Sequence, residues 1–147
     1  MKPYPHHYVV EASGAPAGSV TLSAAGVEAL RSAPPAEFDG PGDQWSPESL
    51  LVAAVADCFV LTFRAIARAS KLPWENLICR AGGTLDRADH VTRFTAVRIQ
   101  ADLTLPAGGD ADLGRRLLEK AEKTCLVTNS LRCEVTLEAR VSEAAAS

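Results

Sequence analysis

A basic excess is missing from this chain. Its formal net charge is −3, whereas a surface that tracks phosphates needs a patch or stripe of lysine and arginine, so nucleic acid is not an expected partner. Also missing is a positively charged start followed by an apolar run: MKPYPHHYVV predicts no signal peptide. The longest apolar run, Leu50 to Phe63, is too short for a bilayer and is broken by Asp57. No membrane partner is expected, and a reducing cytoplasm is the default location. Cysteine is sparse as well. Cys58, Cys79, Cys125 and Cys133 are too few for a stapled secreted scaffold, and a chain of 147 residues can bury a core without staples. No two of them have C-x-x-C spacing, and His6, His7 and His90 show no ligand spacing to any cysteine. Neither a metal site nor another cofactor is therefore expected. Internal repeats and low-complexity blocks are absent too.

What remains is the composition of an ordinary soluble globular protein, 47% hydrophobic and 22% charged, read as one domain over residues 1–147 with a disordered tail at about 143–147. The first third reads as β: HHYVVEAS, then GSVTLSAAG, then Val27 to Ser32. APPAEFDGPGDQW follows, and its prolines and glycines predict a long loop of the kind that often carries function. Ser46 is a good N-cap, Pro47 suits the first helical position, and Glu48 favours the positive end of the helix dipole.

The helix so begun is apolar almost all the way round until Arg64 and Arg68, and Leu72-Pro73 ends it. At about 24 residues it would be roughly 36 Å long, which one small domain cannot easily wrap, so it is expected to run through a core shared by two chains. Beyond it come strands over Asn76–Asp86 and Arg93–Leu105 joined by RADHVT, with Gly82-Gly83 suggesting a bulge or close approach. An amphipathic helix over 111–124 presents Leu113, Leu117, Leu118 and Ala121 on one face; CLVTNSL is a short helix or turn, and RCEVTLEARV is a final strand. The order β-β-β-α-β-β-α-β with hairpin-length links between strands predicts an α+β fold with antiparallel sheets.

Cys58 and Cys125 each belong to an apolar, helix-like stretch, and two thiols brought together in an apolar site can cycle between dithiol and disulfide. A buried cysteine is, in general, more often an inert small hydrophobe, and that plainer reading stays open for Cys58 and Cys125 and is the better one for Cys79 and Cys133. Asp57 beside Cys58 needs a partner if buried, and otherwise marks a polar pocket.

SPESLLVAAVADCF resembles the first helix motif of the OsmC/Ohr family, Pro-Glu, an apolar run and then Ala-x-Cys-Phe, while LLEKAEKTCLVTNSL resembles its second, a helix ending in cysteine. FDGPGDQ, GGTLD, FTAVRIQADLTLP and EVTLEARV match its other segments in order and spacing. The resemblance implies an intertwined homodimer in which antiparallel sheets pack around a long buried central helix. It also implies a thiol-dependent peroxidase for organic hydroperoxides, recycled by a dithiol reductant; an apolar lining expected from Leu51, Val55 and Phe59 points to alkyl or lipid hydroperoxides. By the same resemblance Cys58 is the peroxidatic thiolate and Cys125 the resolving thiol.

A thiolate of that kind calls for a nearby cation, itself held by a carboxylate. Glu48 matches the family's glutamate, with a plainer role as a first-turn dipole partner. Ten residues of helix separate it from Cys58 by about 15 Å, so the two are expected to meet through different subunits. The arginine that OsmC-type members carry before their Phe-acid-Gly segment is replaced here by Glu37, and Arg31 is the only arginine before Cys58. Arg31 is the candidate cation, or else a solvated strand residue. Two other readings of the chain stand beside the enzyme: a protein that binds a small hydrophobic ligand at the dimer interface, and a structural dimer with inert thiols.

Overall fold

The computed structural model describes residues 1–145. Its contacts divide the chain into two compact units, Met1–Leu51 and Val52 onward, with the boundary inside the first long helix.

In the N-terminal unit, β1 (Glu11–Ser13), β2 (Val20–Ser23) and β3 (Leu30–Ser32) form an antiparallel sheet in the order β1-β2-β3. All three are shorter than the sequence predicts, because alternation marks extended chain without saying where pairing stops. The 33–45 segment is largely irregular, as expected, but holds one 3₁₀ turn at Ala36–Phe38 and a bridge from Ser32 to Trp45. Gly40 is obligatory there: a Cβ would coincide with the Pro34 carbonyl. Helix α1 (Pro47–Ala69) then starts as its cap residues require. The Ser49 amide donates to Ser46 Oγ at 3.1 Å and the Ser46 amide to Ser49 Oγ at 2.9 Å, a reciprocal cap.

In the second unit α1 continues to Ala69, Lys71 takes a left-handed φ of 55°, and the Leu72 amide closes back on Ala67 at 3.0 Å. β4 (Asn76–Ala88) and β5 (Val91–Leu105) form a long antiparallel hairpin. Its loop is only Asp89-His90, both at positive φ, the geometry that matches strand twist. The register shifts between Thr84 and Leu85 rather than at the glycines. Gly83 is the close approach: a Cβ there would meet Phe94 at 2.8 Å and Val52 at 2.9 Å.

Helix α2 (Ala111–Thr124) is capped by Asp110, whose carboxylate accepts from the Leu113 amide at 3.0 Å. A short α3 (Leu126–Asn129) and β6 (Glu134–Glu143) complete the unit. β6 pairs with β5 in parallel, so the second sheet, β4-β5-β6, is mixed. This corrects the expectation of antiparallel sheets throughout. The path from β5 to β6 runs through α2, a crossover that returns the chain in the same direction, and side-chain alternation does not encode that choice. β6 also reaches Glu143, and the Ala144 amide donates to Leu105 O at 2.7 Å. The expected tail is thus paired at its start, and residues 146–147 lie outside the described part.

The core of this unit lies between α1, α2 and the mixed sheet. Val55, Phe59, Phe63 and Ala67, four residues apart along α1, meet Leu77, Val97, Ile99, Leu103 and Leu105 from the strands and Leu117, Leu118 and Ala121 from α2. Each fully buried phenylalanine contributes about 1.5–3 kcal/mol of apolar transfer energy. Gly114 rather than Leu113 is the fourth buried residue of α2, since the missing side chain lets the helix settle onto Leu103 and Leu105. Among the described residues, only this one stripe of α1 is buried, although the helix is apolar nearly all round. By length and composition α1 is also long enough to cross a bilayer, a stretch longer than the run read from the sequence. Its packing into the core is that of a globular helix with an uncovered face.

Candidate active site

Cys58 follows Val55 along α1 and precedes Phe59, so it sits at the edge of the buried stripe and is half-buried. Cys125 is placed by a break in helix geometry. It ends α2 and opens α3 with φ −64° and ψ 118°, an extended residue between two helices, and it is fully buried. Its carbonyl accepts from the Asn129 amide at 3.0 Å and from Thr128 Oγ1 at 3.2 Å, and Asn129 Nδ2 donates to Lys123 O at 3.2 Å. These bonds pin the corner, and with it the direction of the thiol.

Cys125 is near enough to Cys58 to act on its thiol. The Cys125 thiol and the backbone of Val127 and Leu126 all favour the ionised form of Cys58. Thr62, one turn along α1, brings its Oγ1 to 3.8 Å from Cys58 Sγ. Burial is the largest single influence on Cys58 and pushes its thiol up. The Val127 amide, the Cys125 thiol, the Thr62 hydroxyl and the Leu126 amide together outweigh it and leave the thiol below its ordinary value. All four are neutral donors. Stabilisation of a thiolate by hydrogen bonds to its charged form is the physical cause.

The other cysteines differ. Burial, reinforced by the nearness of Cys125, pushes Cys79 on β4 up to about 11. Cys133 is half-buried and packs against the core. All four thiols are free.

The Cys58 sulfur faces a cleft of about 570 Å³ walled by Ala54, Leu61, Ile66, Leu126 and Val127, with Asp57, Thr62 and Thr124 as its polar members. Leu61 and Leu126 are 49% and 70% exposed, so the walls are apolar surface left open to solvent.

Two further residues singled out from the sequence belong to the N-terminal unit. Arg31 is exposed on β3, paired across to Thr21. Glu48 lies in the first turn of α1, and its Oε1 is buried with no hydrogen-bond partner among the described residues. Sequence reasoning missed Thr62 and the Leu126 and Val127 amides. Thr62 was within its reach, because position i+4 from Cys58 lies on the same helix face. The amides were not, since only the folded corner aims them. Among the described residues no group of three or more histidine, cysteine or acidic side chains is arranged to hold a metal ion.

Comparison with known proteins gives this geometry a context. The chain is 27% identical over 111 residues to the uncharacterized protein YmaD of Bacillus subtilis, covering 74% of each. It is 27% identical over 93 residues to peroxiredoxin OsmC of Escherichia coli, covering 63% of this chain and 64% of that one. An organic hydroperoxide resistance protein OsmC from Legionella pneumophila superposes with a TM-score of 0.74 at 26% identity, over 95% of this chain and 99% of the other. The family model described as OsmC-like protein matches residues 40–140, more than half of the sequence, and the chain belongs to that family.

Proposed function

We propose that this protein is a thiol-dependent peroxidase that reduces organic hydroperoxides, with Cys58 as the attacking thiolate and Cys125 as the resolving thiol. The observation that carries the reading is the Cys58 sulfur itself. It lines an apolar cleft, and neutral donors that include a second free thiol, Cys125, lower its proton affinity. The names of the E. coli relative and the Legionella structure, a peroxiredoxin and a hydroperoxide resistance protein, point the same way.

In the proposed cycle the Cys58 thiolate attacks one oxygen of R–O–OH. The O–O bond breaks, sulfur keeps the hydroxyl as a sulfenic acid, and the alkoxide takes a proton from solvent to leave as an alcohol. Cys125 then attacks the sulfenic sulfur; the S–S bond forms and water departs with the Cys125 proton. A dithiol reductant of the cytoplasm restores both thiols and is itself oxidised. Apolar walls at Leu61, Ile66 and Leu126 favour alkyl or lipid hydroperoxides over hydrogen peroxide.

A homodimer belongs to the proposal. The face of α1 left uncovered within one chain would be closed by a second copy, and Glu48 and Arg31 of that copy would bring a carboxylate and a cation to Cys58. The support for this part is the length of apolar helix that has a single stripe buried within one chain.

Consumption of an alkyl hydroperoxide with a dithiol reductant tests the cycle. Cys58→Ser is expected to abolish turnover, and Cys125→Ser to stop it after one equivalent, with the sulfenic acid trapped. Undiminished turnover in Cys58→Ser would refute the assignment. The same apolar cleft also suits a small hydrophobic ligand, and tight ligand binding with no disulfide formed under peroxide would choose that reading.

A further inference from the structure

Aspartate is a poor residue for a helix interior, and Asp57 interrupts an otherwise apolar run. It immediately precedes Cys58, lines the same cleft, and is exposed. Among the described residues it enters no ion pair. The remaining lining is Ala54, Leu61, Thr62, Ala65, Ile66, Thr124, Leu126 and Val127, so Asp57 and Cys58 are the two ionisable groups that one chain contributes to the cleft. The next charged residue along α1, Arg64, lies seven positions on, roughly 10 Å along the axis, and is not part of the lining. A reagent approaching Cys58 therefore meets a carboxylate beside the sulfur, on a cleft whose other walls carry no charge.

From this we infer that Asp57 is a specificity-determining residue, a charge filter that admits neutral hydroperoxides to Cys58 and turns away peroxides that are themselves anions. The substrate class named here rests on the peroxidase reading. The filter does not, because it acts on any small reagent that reaches the sulfur. Like-charge repulsion over several ångströms at a partly solvated site corresponds to about three- to tenfold in rate.

Iodoacetamide and iodoacetate test the filter directly. They are nearly the same size, both alkylate a thiolate with loss of iodide, and only the second is negatively charged. Their rates at Cys58 are followed by mass spectrometry of its peptide in wild type, Asp57→Asn and Asp57→Lys. A change in Cys58 acidity alters both rates equally and cancels in their ratio. The iodoacetamide-to-iodoacetate ratio is expected to fall about three- to tenfold in Asp57→Asn and further in Asp57→Lys. At 1 M salt, where screening acts over about 3 Å, the three proteins are expected to converge. A ratio unchanged in both variants overturns the inference.

The peroxide arm compares cumene hydroperoxide with the peroxymonosulfate anion and is expected to shift in the same sense. If no peroxide is turned over while the alkylation ratio still falls, the peroxidase reading fails and the filter stands.

Discussion

Cys58 and Cys79 show how the same side chain acquires opposite chemistry in two surroundings. Both lose solvent on folding, which disfavours a thiolate. Cys58 recovers it through four neutral donors, whereas burial, with Cys125 adding to it, pushes Cys79 up to about 11. At pH 8, therefore, Cys58 is expected to be alkylated by iodoacetamide faster than a free cysteine peptide would suggest, with Cys79 spared. Its rate-against-pH curve should have a midpoint below the ordinary thiol value. The sign follows from the shift: a depressed value leaves more thiolate at every pH below it. Thr62→Val removes one donor and should move that midpoint upward, while Thr62→Ser, which keeps the hydroxyl, should hold it. Equal midpoints in all three proteins would remove Thr62 from the site.

Among the elements, the α2–Cys125–α3 corner does the positioning. Asp110 starts α2, Gly114 lets it lie close on Leu103 and Leu105, and the helix ends where Cys125 must turn out of helical geometry. Asp110→Ala leaves the Leu113 amide without its acceptor and should lower stability by about 1 kcal/mol, read as a shift of the urea midpoint with an unchanged slope. The Cys58 alkylation midpoint should stay put, since the cap is a full helix away from the thiols. Helix α1 has a different task. Its Val55–Ala67 stripe enters the core, and its edge presents Cys58, Thr62 and the open Leu61 to the cleft.

For the molecule as a whole, the uncovered length of α1 is the dominant feature. An apolar helix with one stripe buried is unstable against association, and the homodimer we propose removes that exposure. Leu61→Glu, a charge placed on the open face, is expected to convert a dimer to a monomer in sedimentation equilibrium while the circular dichroism spectrum keeps its helix signal. A wild-type protein that sediments as a monomer would sink the dimer. The ion pairs on the outer face of the mixed sheet, such as Arg98 with Glu138 at 2.6 Å, are solvent-exposed and contribute little.

Local chemistry was enough to read α1 with its cap, α2, the β4–β5 hairpin and the pair of candidate cysteines from the residues. Helix starts, periodicity and turn residues act over a few positions, and a string of letters carries them in full. Strand ends and the parallel pairing of β6 were not legible, because they depend on what lies alongside. Nor were the sulfur's neutral donors: sequence reasoning looked for a cation and named neither the Thr62 hydroxyl nor the backbone of Leu126 and Val127. Backbone N–H groups are present at nearly every position and become a site only when a corner such as Cys125 turns them toward one atom. Direction in space, which no spacing rule encodes, is what the packing of α1 against that corner supplied.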